Sequence, residues 1–304
     1  MMEPFRSGFI AIVGRPNKGK STLLNRILAR KVAIVTPKPQ TTRTRIMGVC
    51  HRPSCQMVFV DTPGLHEPKR SLLREGMVRT ARDACRDVEV VCYVVDVPEG
   101  WQPEDESLLA QLPLGEAARF LILNKVDRVA RPSLLPLLAH IAESNHSWDE
   151  VIPLSAQNGE NLDRLLQEIE RRLPEGPPYF PPEMVTDQPD HFLVAELVRE
   201  KLFLHLQQEV PFGLAVEVEQ AQRKKGLWHY HVNILVERES QKGMVIGKDG
   251  AMLREVGESA RRELERLLKH RLHLRLWVRE AKGWQDDPAR LRSLGYPDGS
   301  AVDG

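Results

Sequence analysis

The segment Gly14-Arg15-Pro16-Asn17-Lys18-Gly19-Lys20-Ser21 stands between an apolar run, residues 9–13, and a helix-forming run, residues 22–28. A glycine-bearing turn that leaves a strand and opens a helix fixes the local fold. Its backbone N–H groups and the unpaired amides of the first helical turn converge on one point and suit a di- or triphosphate. The G-x-x-x-x-G-K-S spacing is that of a Walker A loop. Lys20 then reaches the β and γ phosphates, Ser21 ligates Mg²⁺, and Thr22 lies in the helical turn under the phosphates.

Further apolar runs at residues 57–60, 88–97, 120–123 and 151–154 alternate with amphipathic stretches at 134–143 and 162–173. This predicts an α/β P-loop NTPase domain, a mainly parallel sheet with helices on both faces and ligands at the carboxyl ends of its strands. Prolines crowd residues 174–189 and end the alternation, because neither a helix interior nor a central strand tolerates them. Beyond them the pattern reads helix 192–208, strands 214–218 and 230–237, helix 251–269 and strand 272–278, an α+β arrangement with an antiparallel pair. The expected organisation is a first domain over residues 1–174, a Pro-rich linker over 175–190, a second domain over 191–284 and a tail over 285–304.

A chain of 304 residues is long enough for two such domains. Run 88–97 contains Glu89 and Asp96 and is about half as long as a membrane span, so it reads as a buried strand. No basic segment followed by a long apolar stretch opens the chain, and no signal peptide is expected. Cys50, Cys55, Cys85 and Cys92 show no C-x-x-C spacing, which fits reduced core thiols in a cytoplasmic protein. With a net charge of +1, any nucleic-acid contact must come from a local basic surface.

Asp61-Thr62-Pro63-Gly64 follows the strand at 57–60, placing a carboxylate where it can hold Mg²⁺ through a water, while Gly64 can bring its N–H to the γ phosphate. Asn124-Lys125-Val126-Asp127 follows the strand at 120–123 and separates guanine from adenine. Asp127 can accept two hydrogen bonds from the ring N–H and exocyclic amine of guanine, and adenine lacks that pair. Asn124 and Lys125 would brace the loop and cover the base. Ser155-Ala156 would complete the pocket, with a backbone amide for the guanine carbonyl. Between the Walker helix and Asp61, residues 36–43 form a polar, proline-bearing loop whose threonine can reach Mg²⁺ when a γ phosphate is present; Thr42 is favoured over Thr41.

In the second domain, Ile246-Gly247-Lys248-Asp249-Gly250 is a G-x-x-G turn entering a helix. Such a turn clamps the backbone of single-stranded RNA in KH domains, and the surrounding element order is that of a type II KH domain. Lys242 and Lys248 are the more suggestive cations beside it, with Arg223, Lys224 and Lys225 a lesser contributor. On helix 251–269, pairs such as Glu258 with Arg262 and Glu265 with Lys269 suit an exposed helix face. His229 and His231 read as surface residues in preference to metal ligands.

In this order the motifs resemble those of translation-factor-type GTPases. Joined to the KH-like domain they resemble the Era family of bacterial GTPases over nearly the whole chain. The resemblance implies conversion of GTP and water to GDP and phosphate, with Lys20, Thr42, Asp61 and Gly64 carrying hydrolysis and Leu65 completing the phosphate loop. It also implies a nucleotide-controlled switch in assembly of the small (30S) ribosomal subunit. The partners would be GTP and GDP, the 3′ end of small-subunit ribosomal RNA, the 30S subunit or its precursor, and loose peripheral contact at the inner face of the cell membrane. The other reading is a peripheral membrane GTPase signalling module in cell-cycle or growth control, for which no amphipathic basic helix or lipidation motif is present.

Leu65 follows Gly64 where many GTPases carry a water-orienting glutamine. Relatives with an apolar residue there and an asparagine matching Asn17 hold a potassium ion near the phosphates. Asn17 is therefore read either as a potassium ligand or as a loop stabiliser, and both readings stay open. Unassisted turnover should be slow, on the order of 10⁻⁴ to 10⁻² per second. Lys18 replaces the valine usual in the family and either alters phosphate affinity or points to solvent. His51 and His66 read as ordinary surface or loop residues, since phosphoryl transfer depends mostly on positioning and charge.

Overall fold

The computed structural model describes residues 4–65, 71–144 and 146–298. They form two units. The first takes the described parts of Met1–Ala33, Thr42–Pro68 and Met77–Asp187; the second takes those of Ile34–Thr41, Lys69–Gly76 and Gln188–Gly304.

The first unit runs β1 (Arg6–Val13), α1 (Lys20–Ile27), β2 (Ile46–His51), β3 (Cys55–Asp61), the second half of α2 (Leu72–Asp83), β4 (Val90–Asp96), α3 (Pro103–Leu109), β5 (Ala118–Asn124), α4 (Leu134–Glu143), β6 (Glu150–Pro153) and α5 (Leu162–Arg172). The strands lie in the order β2-β3-β1-β4-β5-β6. All pairings are parallel except β2 with β3. Every residue of β4 is buried, so its apolar run is continuous instead of alternating, as a strand covered on both faces requires.

Sequence patterning missed β2. Its apolar stretch is interrupted by Gly48, whose missing side chain is what lets α1 pack closely: a Cβ there would meet Leu28 Cδ1 at 2.6 Å. Amphipathic α5 buries Leu165, Leu166 and Ile169 at helical spacing.

The proline-rich segment is pinned along the first unit. Ser7 Oγ donates to Pro177 O at 2.8 Å, and Gln56 Oε1 accepts the Tyr179 amide at 2.7 Å. Val49 N donates to Val185 O at 2.8 Å, and Thr186 Oγ1 to Met47 O at 2.7 Å.

The second unit contains α6 (Asp190–His205), β7 (Ala215–Lys224), β8 (Leu227–Val236), α7 (Glu239–Ile246), α8 (Ala251–Leu268), β9 (Leu272–Glu280) and α9 (Pro288–Ser293). Its sheet has the order β7-β8-β9, with β7 antiparallel and β9 parallel to β8. The core joins Val194, Leu197, Val198, Leu202 and Phe203 of α6 to Val256, Ala260 and Leu264 of α8, and takes in Ile34.

Two features differ from the sequence reading. Residues 34–41 belong to this unit, and part of the expected tail is folded. Trp284 and Leu291 are buried, Trp284 Nε1 donates to Gly213 O at 3.0 Å, and Asp287 caps α9 by accepting the Ala289 and Arg290 amides. Among the described residues, no helix is long and apolar enough to cross a membrane.

Candidate functional site

The carboxyl ends of β1, β3, β5 and β6 gather the nucleotide motifs in the first unit. The turn after β1 depends on backbone that side chains resist. Gly14 has φ 140°, and a Cβ there would strike Val94 O at 2.4 Å; Gly19 has φ 90° and lies against Asn124. Lys20 is 6% exposed and donates to Gly14 O and Arg15 O at 2.9 and 3.0 Å. Burial lowers its ammonium pKa to about 8 although Asp61 works to raise it.

Ser21, Thr42 and Asp61 form a compact oxygen cluster. Ser21 Oγ donates to Asp61 Oδ2 at 2.6 Å and lies 2.9 Å from Thr42 Oγ1. Asp61 is fully buried, and its Oδ1 has no hydrogen-bond partner among the described residues. Burial raises this carboxyl to about 6 against the pull of Lys20 and Ser21. Two hydroxyls and one carboxylate with a spare oxygen form a hard donor set that fits Mg²⁺. Thr41 lies apart from this cluster, with its hydroxyl on Thr36 Oγ1 and Lys38 O.

Thr62 Oγ1 donates to Ile12 O at 2.9 Å, and the Leu65 amide donates to Gly14 O at 3.1 Å. Gly64 packs so closely on the Walker loop that a Cβ would come within 2.7 Å of Pro16 Cα. The Leu65 side chain is 1% exposed within the apolar core and has no means of orienting a water.

Asn124 joins three loops: Nδ2 donates to Lys18 O at 2.8 Å, while Oδ1 accepts the amides of Lys125 and Ala156 at 2.8 and 2.9 Å. Lys125 Nζ donates to Asn17 O at 2.7 Å. Ser155 Oγ donates to Asp127 Oδ1 at 2.5 Å, orienting a carboxylate that remains exposed. Val126 is anchored by its amide on Leu154 O. The Ser155 amide is donated to Glu160 O at 3.2 Å, so both amides of Ser155-Ala156 already have protein acceptors. In this arrangement the pair orients Asp127 and braces Asn124.

Lys18 is neither on the rim nor in solvent. It is 2% exposed, donates to Asp96 Oδ1 at 2.7 Å and also pairs with Glu99. Asp96 Oδ2 accepts from Lys125 at 2.8 Å. Burial works to raise the Asp96 carboxyl, but hydrogen bonds from Lys125 and Lys18 outweigh it and hold it below its usual range. Arg15 is held by buried Asp105 at 3.0 Å and by Glu99 at 3.1 Å. Sequence reasoning missed Asp96, Glu99 and Asp105. Only Asp96 carried a signal, as a charged residue ending an apolar strand. Asn17 is exposed at φ 62° on the loop's outer turn. His51 bonds Met184 O and lies on β2; His66 is outside the described residues.

In the second unit, α7 ends at Ile246 and Gly247 takes φ 73°, where a Cβ would meet Met252 Cβ at 2.8 Å. Asp249 and Gly250 are also left-handed, and Gly250 caps α8. Lys248 is exposed with no ion-pair partner among the described residues, whereas Lys242 pairs with Glu239 at 2.9 Å. Arg262 pairs with Glu258; Glu265 pairs with Arg261, not with Lys269. Ring centroids of His229 and His273 lie 5.5 Å apart on neighbouring strands.

Residues 9–125 match the family described as 50S ribosome-binding GTPase, and residues 209–285 match the KH domain family. The chain is 46% identical over 295 residues to GTPase Era of Geotalea daltonii, covering 97% of this chain and 99% of that protein. It is 43% identical over 295 residues to GTPase Era of Geobacter metallireducens, covering 96% and 98%. A crystal structure of an Aquifex aeolicus Era variant bound to GDP.AlF4- superposes with TM-score 0.93 at 39% identity, over 96% of this chain and 99% of that one. Era in complex with MgGDPNP and nucleotides 1506–1542 of 16S ribosomal RNA matches with the same TM-score, identity and coverage.

Proposed function

Since this chain belongs to the Era family of GTPases, with a GTPase domain followed by a KH domain, we propose that it is a GTP-controlled switch that carries the 3′ end of small-subunit ribosomal RNA during 30S assembly in the cytoplasm. The observation that carries this reading is Asn124. Its three hydrogen bonds hold the phosphate loop, the Asp127 loop and the Ser155-Ala156 loop as one site.

Asp127 reads guanine, and the amides of the Walker loop with Lys20 hold the phosphates. Ser21 and Thr42 directly, and Asp61 through water, would hold Mg²⁺, which supplies positive charge to the phosphate oxygens when bound. Thr42 is the part of this set that distinguishes triphosphate from diphosphate. Leu65 contributes no water-orienting group, so turnover is slow without added charge; potassium beside Asn17 is one source, checked by comparing rates in KCl and NaCl.

The Gly247–Gly250 turn, with Lys248 beside it, clamps RNA backbone where a side chain would hold phosphates away. A relative matched over 96% of this chain is in complex with nucleotides of 16S RNA, which supports the small subunit as target. The match described by the large subunit stops at residue 125, before the KH domain.

Titration calorimetry with GTP and ATP, followed by binding of a small-subunit 3′-end RNA in the presence of a GTP analogue or GDP, tests the reading. GTP is expected to bind far more tightly than ATP, and RNA more tightly with the analogue. ATP held as firmly as GTP, or equal RNA affinity in the two nucleotide states, would overturn it.

A further inference from the structure

Residues 36–43 read as a polar, proline-bearing loop in the sequence, yet α6 ties residues 34–41 down along their length. Ile34 is 1% exposed in the second core. Glu200 Oε1 accepts the Val35 amide at 2.9 Å. Lys38 Nζ donates to the carbonyls of Phe203, at 2.5 Å, and Leu206, at the end of α6. The last tie is made by Arg199, which is fully buried and donates from Nη2 to Thr41 O at 2.5 Å. Glu196 grips the same guanidinium with both oxygens, at 2.8 Å to Nε and 2.5 Å to Nη2. The residue after Thr41 is Thr42, whose hydroxyl meets Ser21.

A buried ion pair is a poor device for stability alone, because desolvation offsets most of the attraction. Here the guanidinium even leaves Nη1 buried without a hydrogen-bond partner among the described residues. What the pair gains is geometry: a planar fork held by one carboxylate points a remaining N–H at a single backbone carbonyl.

We propose that the Glu196–Arg199 pair, with Lys38 as a second tie, is a positioning device that sets the backbone at Thr41 and so fixes Thr42 where it senses the triphosphate. This rests on the role given to Thr42 above. Arg199 acts through the Thr41 peptide, with no contact to nucleotide required. Only the state that uses Thr42 gains from the clamp, so it raises the preference for GTP over GDP and leaves GDP binding alone.

The test is the double variant Glu196→Gln/Arg199→Met, which removes both charges at similar volume, alongside Lys38→Met and the parent protein. Affinities for GDP and for a non-hydrolysable GTP analogue, kcat, KM and thermal melting are measured for each. In the double variant the analogue-over-GDP preference and kcat are expected to fall about tenfold, with GDP affinity within about twofold; Lys38→Met is expected to lose about threefold. A folded double variant that keeps the parent's preference and kcat overturns the proposal. If the double variant melts early, Lys38→Met decides on the same criterion. A parent that neither prefers nor hydrolyses GTP would overturn the functional reading itself, an outcome distinct from a parent that works and a variant that matches it.

Discussion

The phosphate loop and the Gly247–Gly250 turn are both backbone cradles made possible by left-handed glycines, but their surroundings differ. Around the first, Lys18, Lys20, Asp61, Asp96, Asp105 and Asn124 are all buried and bonded to one another or to the loop. Around the second, Lys248 and Asp249 are exposed, and the local backbone bonds are Gly247 N to Gly243 O and Gly250 N to Gly247 O. A compact, multiply charged ligand is met by polar groups already fixed in place, so little ordering is left for the moment of binding. On the proposed reading, a flexible strand would meet an open turn with exposed Lys248 beside it, a turn that can follow its path.

The contrast is broken most directly at Gly14. An alanine there must displace the Val94 carbonyl, which lies 2.4 Å from its Cβ, and must also hold φ 140°. Gly14→Ala is expected to cost about 3 kcal/mol or more and to weaken nucleotide binding more than about 100-fold by calorimetry, with a lower melting temperature. Nucleotide affinity near the parent value would mean that the loop adapts, and the contrast would vanish.

Asp96→Asn asks whether the buried network or the loop's shape holds the nucleotide. Losing the carboxylate shared by Lys18 and Lys125 is expected to cost about 2 kcal/mol, roughly a thirtyfold drop in guanine-nucleotide affinity. RNA affinity in the absence of nucleotide should stay level. An unchanged nucleotide affinity would show that the two lysines need no common acceptor.

The smallest effects belong to the open turn. Gly247→Ala meets Met252 at 2.8 Å and is expected to lower RNA affinity about tenfold in a filter-binding assay; Gly250→Ala meets nothing within 4 Å and carries only left-handed strain, about 1 kcal/mol. GTP hydrolysis should be untouched by either. Equal losses at both glycines would show that strain, not space, governs this turn.

Much of the nucleotide site was legible in sequence because each motif is a local spacing set at a strand end. The buried network was not, because its members are far apart: Lys18 and Asp96 are separated by 78 residues, and Arg199 and Thr41 by 158. The charges on α6 were hidden for a related reason. Glu196, Arg199, Glu200 and Lys201 are buried on a helix whose sequence shows no polar stripe to set them apart. The α7 helix went unseen because it contains Gly243 and opens without a Ser, Thr or Asp cap; Gln241 accepts the Arg238 amide in their place. The solvent-facing alternative for Lys18 failed because its acceptor, Asp96, ends a strand 78 residues away. The α9 helix was missed because its six residues are too few to show a helical apolar period, although Leu291 is buried.

The proline-rich segment along β2 bears on how the edge of the sheet is kept from unwanted pairing. β2 ends the six-stranded sheet, and an outermost strand offers unpaired amides and carbonyls to any extended peptide nearby. Residues 185 and 186 occupy the Val49 amide and the Met47 carbonyl. Prolines on either side of that contact, at 181, 182 and 189, cannot donate to a further strand. The connector thereby covers part of a sheet margin that would otherwise be open to strand addition.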